Sequence, residues 1–148
     1  MYGNNIIETH KLHNVIIYLR KSREEMLDSG YGGVGATLER HESILQTWAE
    51  QNLGRKISED CIFREVGSGE TISERPVMIN VLKMIKNHEV DGVLIIEPQR
   101  TSRGDLRDCQ EIIDSFELTD TLVLTPTKIY NLSDKYDKKM FRDQLLLG

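Results

Sequence analysis

The sequence has little cysteine and no long apolar run. Cys61 and Cys109 are the only cysteines among 148 residues, and they lie in separate apolar stretches without metal-ligand spacing. We therefore predict no metal site and expect both thiols to be small core residues. No apolar run is long enough to cross a bilayer, and the amino terminus lacks a signal-peptide pattern. These absences predict a cytoplasmic protein with no membrane partner.

An excess of positive charge is also missing. The formal net charge is -5 at pH 7, whereas proteins that hold nucleic acid by bulk electrostatics neutralise phosphates with a basic surface. DNA is not excluded as a substrate, because positive charge can be concentrated in one cleft while the outer faces stay acidic. Tight DNA binding would then need another module.

The chain length fits a single globular domain with a sizeable core, since 39% of the residues are hydrophobic. An apolar run, Leu145 to Leu147, stands near the end of the sequence and is typical of a helix that has a packing partner. We expect one domain over residues 1–136, followed over residues 137–148 by the start of a final helix that is truncated from a longer protein.

Strand and helix patterns alternate along the chain. Buried strands are predicted at residues 13–19, 60–66, 91–97 and 121–125, with helices that begin at Thr37, Pro76 and Asp105 between them. Residues 28–35 are glycine-rich and predict a flexible loop, and residues 128–139 predict a polar loop that leads into a final helix. This alternation predicts an α/β fold, a mainly parallel sheet with helices on both faces and reactive groups beyond the carboxyl ends of its strands.

Candidate chemistry follows these strands. Ser22 comes just after the first strand, together with Arg20, and the pair Arg100 and Arg103 follows the third strand. Arg75 precedes the proline that starts a predicted helix. A serine hydroxyl is a weak nucleophile, so attack on a phosphodiester needs fixed cations around the phosphoryl oxygens, and arginine forks suit those oxygens. Ser22 could instead cap a turn, and the arginines could be solvated surface residues.

The order of four motifs carries a family resemblance. These motifs are Tyr18-x-Arg20-x-Ser22, Ser68-Gly69, Arg75-Pro76 and Arg100-x-x-Arg103. Together they resemble the catalytic domain of serine recombinases of the resolvase and invertase family, which implies a resolvase-like fold. The stretch from Leu124 to Tyr136 resembles that of the large serine recombinases, the phage and mobile-element integrases.

The resemblance implies a reaction and its partners. Ser22 would attack a DNA phosphodiester, leaving a 5'-phosphoserine link and a free 3'-hydroxyl, with Arg20, Arg75, Arg100 and Arg103 around the phosphate. No metal or nucleotide cofactor is implied. The partners would be DNA attachment sites and further copies of the chain, in dimers and tetramers that the final helix helps to join. We expect this chain alone to bind DNA poorly and to be inactive.

Two positions depart from the commoner family pattern. Gln99 stands where the family has an aspartate before its arginine pair, and His41 stands where it has a glutamine in the first helix. The resemblance places Tyr18, His41, Gln99 and Ser68 among the substrate-binding residues. From the residues alone, packing at the strand end is the stronger interpretation of Tyr18, and a partly buried histidine satisfied by its neighbours is an equal alternative for His41.

Two other functions stay open at this point. A catalytically silent DNA-transaction or assembly module with the same fold would explain Gln99 and His41. A nucleotide- or small-molecule-binding α/β domain is the third hypothesis, but the glycine-rich stretch lacks the order of a phosphate-binding loop. Capture of a covalent DNA adduct on Ser22 separates the recombinase from both.

Overall fold

Parallel strand pairing builds the central sheet. The computed structural model describes residues 12–21, 33–66, 75–101 and 106–147. Its sheet has the order β2-β1-β3-β4-β5, and β1 to β4 are parallel whereas β5 pairs antiparallel with β4. The strands are β1 (Val15–Lys21), β2 (Ile62–Val66), β3 (Gly92–Leu94), β4 (Leu122–Leu124) and β5 (Ile129–Tyr130).

Helices cover both faces of this sheet, as predicted, and the α/β class is confirmed. They are α1 (Gly33–Leu53), α2 (Pro76–Lys86), α3 (Leu106–Thr119) and α4 (Lys135–Leu147). Because side chains alternate along a strand, Ile16 and Tyr18 of β1 pack in the core under α2, α3 and α4. Ile17 and Leu19 face the opposite way and pack with α1. No helix in the described part of the chain combines the length and apolarity that a membrane span requires.

The second helix begins where the sequence predicted. Pro76 is its first residue, a position that suits proline because the amide there has no partner within the helix. Its apolar positions repeat at helical spacing and are buried: Met78, Val81, Leu82 and Ile85. The start of α2 therefore fixes Arg75 directly before the first residue of the helix.

Among the first four predicted strands and the helices between them, two boundaries were wrong by more than two residues. Helix α1 begins at Gly33 rather than Thr37, so the end of the predicted glycine-rich loop is helical. Glycine weakens a helix by about 1 kcal/mol per residue without preventing it. Strand β3 ends at Leu94, because the chain turns at Pro98 into a one-turn 3-10 helix, Pro98–Arg100, before Glu97 can extend the ladder.

The region predicted as a loop over residues 128–139 contains the short strand β5 and the start of α4. Thr125 sets the turn into β5, since its hydroxyl donates to the Lys128 carbonyl at 2.6 Å and accepts from the Lys128 amide at 2.9 Å. Asp134 caps α4 by accepting the Asp137 amide at 2.9 Å. Phe141 and Leu145 of α4 are fully buried in the core.

Candidate active site

Two arginines from different elements, β1 and the start of α2, donate hydrogen bonds to the turn that follows β3. Arg20 lies near the carboxyl end of β1, and its Nε donates to the Arg100 carbonyl at 2.9 Å. Arg75 precedes α2, and its Nη1 donates to the Thr101 carbonyl at 2.8 Å. The carboxyl ends of parallel strands share one edge of a sheet, so residues 80 positions apart, Arg20 and Arg100, come into contact.

The turn itself is braced by local hydrogen bonds. The Pro98 carbonyl accepts from the Thr101 amide at 2.9 Å and from the Thr101 hydroxyl at 2.7 Å. The Arg100 amide donates to the Glu97 carbonyl at 3.0 Å, and the Arg100 side chain lies 3.4 Å from the Glu97 carboxylate. The two carbonyls that hold Arg20 and Arg75 thus belong to a turn that resists local bending. This turn is named the arginine-anchoring turn, residues 97–101.

Arg75 is the most buried cation in the described part of the chain, with a relative exposure of 0%. Only its Nη1 has a hydrogen-bond partner there, because its Nε and Nη2 are buried without an acceptor among the described residues. A buried polar group normally has a partner, and a buried guanidinium without enough acceptors is costly. Within the described part of the chain, no acceptor competes with an anion for the N–H groups on Nε and Nη2 of Arg75.

Glu65 supplies the carboxylate of this region. It is 4% exposed, and its Oε1 accepts from the Tyr18 hydroxyl at 2.6 Å. Its two oxygens also accept the first free amides of α2, those of Val77 at 2.8 Å and Met78 at 3.1 Å. A carboxylate at a helix amino terminus satisfies unpaired N–H groups and complements the helix dipole. Glu65 therefore joins β1, β2 and the start of α2.

The charges at this edge do not cancel. Among the described residues, the buried charged groups at this edge are two guanidiniums, Arg20 and Arg75, and one carboxylate, Glu65. Asp137 is also buried, but it pairs with Lys128. Arg100 and Glu97 form a separate, more exposed ion pair. The buried part of the site thus carries an excess positive charge, which favours an anionic ligand with several oxygens.

Tyr18 lies against the same charges. Burial raises the pKa of its phenol well above the usual value for tyrosine, and the hydrogen bond to Glu65 raises that pKa further. The nearby guanidiniums of Arg75 and Arg20 act in the opposite direction and are outweighed. The phenol consequently stays neutral at physiological pH, where it donates its one hydrogen to Glu65.

Replacing Tyr18 with phenylalanine is expected to change how stability depends on pH. Because the folded state keeps the Tyr18 proton above pH ~10 while the unfolded chain loses it, the free energy of unfolding falls as pH rises through that value. The loss is at most about 1.4 kcal/mol per pH unit. Tyr18→Phe should therefore be less stable than the unchanged chain at pH 8, with a difference that narrows above pH 10.

Urea unfolding of both chains at several pH values between 8 and 12 measures this difference. Burial also raises the pKa of Tyr130, but both chains contain that residue, so its effect cancels. A difference that stays constant across the range would contradict the assignment of a buried, neutral phenol to Tyr18.

Of the remaining predicted site residues, the structure describes Gln99 and His41. Gln99 lies on the arginine-anchoring turn beside Arg100, and its side chain donates to Gln144 of α4 at 3.0 Å. His41 lies on α1, which covers the other face of the sheet, and it is partly exposed. Ser22, Ser68 and Arg103 lie outside the described residues.

Sequence reasoning missed two residues of the site, Glu65 and Thr101. A signal for Glu65 was present, because an acidic residue at an inward position of a strand that also buries Ile62 needs a partner. Thr101 contributes a backbone carbonyl, which no side-chain pattern reveals. The interpretation of Tyr18 as a packing residue at the strand end agrees with its exposure of 1%. The alternative that Arg75 is a solvated surface residue was wrong, because Arg75 is buried.

Comparison with solved structures finds the same fold in other proteins. The N-terminal catalytic domain of the TP901-1 integrase is 19% identical with a TM-score of 0.65, over 91% of this chain and 93% of that one. The C-terminal catalytic domain of ISC1926 TnpA, an IS607-like serine recombinase, is 16% identical with a TM-score of 0.56, over 87% and 94% of the two chains. A serine recombinase from Sulfolobus solfataricus is 18% identical with a TM-score of 0.51, over 76% and 67%.

Family assignment does not depend on these structures alone. Residues 15–146 match the family described as Resolvase, N terminal domain. The match runs from the first residue of β1 to the last turn of α4, so it includes every strand and helix that positions the arginines. The predicted resemblance is confirmed: this chain belongs to the resolvase N-terminal domain family.

Proposed function

We propose that this chain is the catalytic domain of a serine site-specific recombinase, in which Ser22 attacks a DNA phosphodiester. Membership of the resolvase family supports site-specific recombination in general. The observation that carries the finer proposal is the buried Arg75 guanidinium, whose Nε and Nη2 have no acceptor among the described residues. It lies beside Arg20 at a sheet edge with excess positive charge.

The proposed reaction exchanges one phosphodiester for another. The Ser22 Oγ gives up its proton and forms a bond to phosphorus, and the bond from phosphorus to the 3'-oxygen breaks. That oxygen takes up one proton and leaves as a 3'-hydroxyl, so the proton lost by Ser22 and the proton gained by the leaving group balance. The product keeps a 5'-phosphoserine link, so the reverse attack by a 3'-hydroxyl rejoins DNA. No metal, nucleotide or external energy source enters this balance.

The arginines would act on charge that builds up at phosphorus. Arg75 has two buried N–H groups for the nonbridging oxygens, and Arg20 is held by its Nε so that its planar fork is oriented. Guanidiniums stay protonated in proteins, so they stabilise charge and do not remove the Ser22 proton. Arg100 and Arg103 complete the proposed set, and Tyr18, His41, Gln99 and Ser68 stay predicted substrate-binding residues.

Covalent capture tests this proposal. The full-length protein is incubated with a library of DNA duplexes that have randomised centres and a nick near the middle, so that cleaved ends diffuse away and the adduct accumulates. We expect protein-linked DNA whose digest maps the phosphate to Ser22 by mass spectrometry. A folded protein that forms no adduct, or an adduct on another residue, would contradict the proposal. The absence of any adduct from a folded protein would favour the catalytically silent module.

We also propose that copies of the chain associate through α4 and that the chain belongs with the large serine recombinases. Tyr136 and Met140 are exposed one turn apart on α4, at 82% and 48%, while Phe141 and Leu145 of the same helix are buried. An exposed apolar strip on a packed helix favours contact with a second copy. Sedimentation equilibrium should detect dimers that Met140→Lys weakens; a strict monomer at high concentration would contradict this interface.

A further inference from the structure

The arginine-anchoring turn has a second attachment, to helix α4. Gln99 Nε2 donates to Gln144 Oε1 at 3.0 Å. This is the only hydrogen bond that the described residues give the Gln99 side chain, since its Oε1 is buried and has no partner among them. Gln99 therefore depends on one acceptor, and that acceptor lies on a helix 45 residues later in the chain.

The same turn orients the two buried arginines. Arg20 Nε donates to the carbonyl of Arg100, the residue after Gln99, and Arg75 Nη1 donates to the next carbonyl, that of Thr101. Because the Thr101 amide and hydroxyl both return to the Pro98 carbonyl, the turn is expected to move as a unit. A shift at Gln99 would then displace both carbonyls together.

We propose that Gln144 is a positioning residue, which through Gln99 holds the arginine-anchoring turn and thereby the guanidiniums of Arg20 and Arg75. The side chain of Gln144 touches neither arginine in the described contacts and acts through the turn. The effect of Gln144 on DNA cleavage rests on the proposed function, whereas its effect on the position of the Arg20 side chain does not. A movement of α4 relative to the sheet would thus shift the guanidiniums of Arg20 and Arg75 as well as the surface of the helix.

The structural arm of the test uses the full-length protein and the NMR signal of the Arg20 Nε–H group. In Gln144→Leu and Gln144→Ala, exchange of this hydrogen with solvent should be faster by about tenfold, because the acceptor of Gln99 is lost. Gln144→Glu keeps an oxygen for Gln99 Nε2 and should preserve slow exchange. Gln110→Leu is the matched control, since Gln110 is exposed on α3 and donates to Asp114.

The kinetic arm measures covalent adduct formation at saturating DNA, using duplexes recovered by the capture experiment. Gln144→Leu should lower this rate by about tenfold with unchanged DNA affinity, and Gln144→Glu should restore it. Arg20 exchange that stays slow in folded Gln144→Leu and Gln144→Ala would overturn the proposal. If the unchanged protein forms no adduct, the proposed function fails, while the exchange experiment still decides the role of Gln144.

Discussion

Replacing Arg75 with lysine is expected to slow covalent adduct formation by about 100-fold. Lysine keeps the positive charge but not the planar fork, so it cannot both donate to the Thr101 carbonyl and present two further N–H groups in fixed directions. The loss is large because the site is buried, where a fixed charge stabilises a transition state more than it does in water. Adduct yield against time at saturating DNA measures the rate.

Arg55→Lys is the matched control for this substitution. Arg55 also donates to backbone carbonyls, those of Leu12 and His13 at 3.1 and 3.0 Å, but these residues precede β1 and lie at the opposite end of the sheet. Adduct formation by Arg55→Lys should be unchanged. Urea unfolding of both variants separates chemistry from folding. A folded Arg75→Lys protein that reacts at the original rate would exclude Arg75 from the phosphate site.

Replacing Glu65 with leucine should lower the free energy of unfolding by about 4 kcal/mol. Leucine has a similar size but no acceptor, so the Tyr18 hydroxyl and the amides of Val77 and Met78 lose their partner together. The change also removes a buried negative charge from the edge of the sheet that holds the buried cations Arg20 and Arg75. Glu65→Gln keeps one acceptor oxygen and should lose about half as much.

Glu59→Gln is the control for this prediction, because Glu59 is an exposed carboxylate that lies three residues before β2 begins and pairs with Arg64 of that strand. An exposed ion pair contributes little, so the change should be about 0.5 kcal/mol or less. Urea unfolding curves give all three values. Equal losses in Glu65→Leu and Glu59→Gln would contradict the central position assigned to Glu65.

The order of the elements was predictable because it depends on local patterns. Buried parallel strands consist of continuous apolar residues, and Pro76 marks the start of a helix, so the alternation of strands and helices follows from the sequence. Strand β5 was missed because two residues, Ile129 and Tyr130, are too few to show a period. Its position depends on the turn that Thr125 closes with Lys128.

The site was predictable only in part. Arginines that follow strands are visible in the sequence, and topology brings Arg20 and Arg75 to one edge. Their acceptors are backbone carbonyls of a turn, and a carbonyl is present at every residue. The contacts of Glu65 and Gln144 depend on how β2 and α4 pack, which no local pattern specifies. The positions of the Arg20 and Arg75 side chains therefore depend on backbone carbonyls and packing contacts that side-chain motifs do not specify.

The register between β1 and β2 determines what an inserted residue in β1 would do to the site. Arg20 lies opposite Glu65 in this pairing, as Tyr18 lies opposite Phe63. One residue inserted between Tyr18 and Arg20 would turn Arg20 toward the face that α1 covers, because side-chain direction alternates along a strand. The arginine would then be separated from Glu65 and from the Arg100 carbonyl while the apolar half of β1 stayed in place. Insertions in this strand could therefore leave a folded protein whose cationic site is gone.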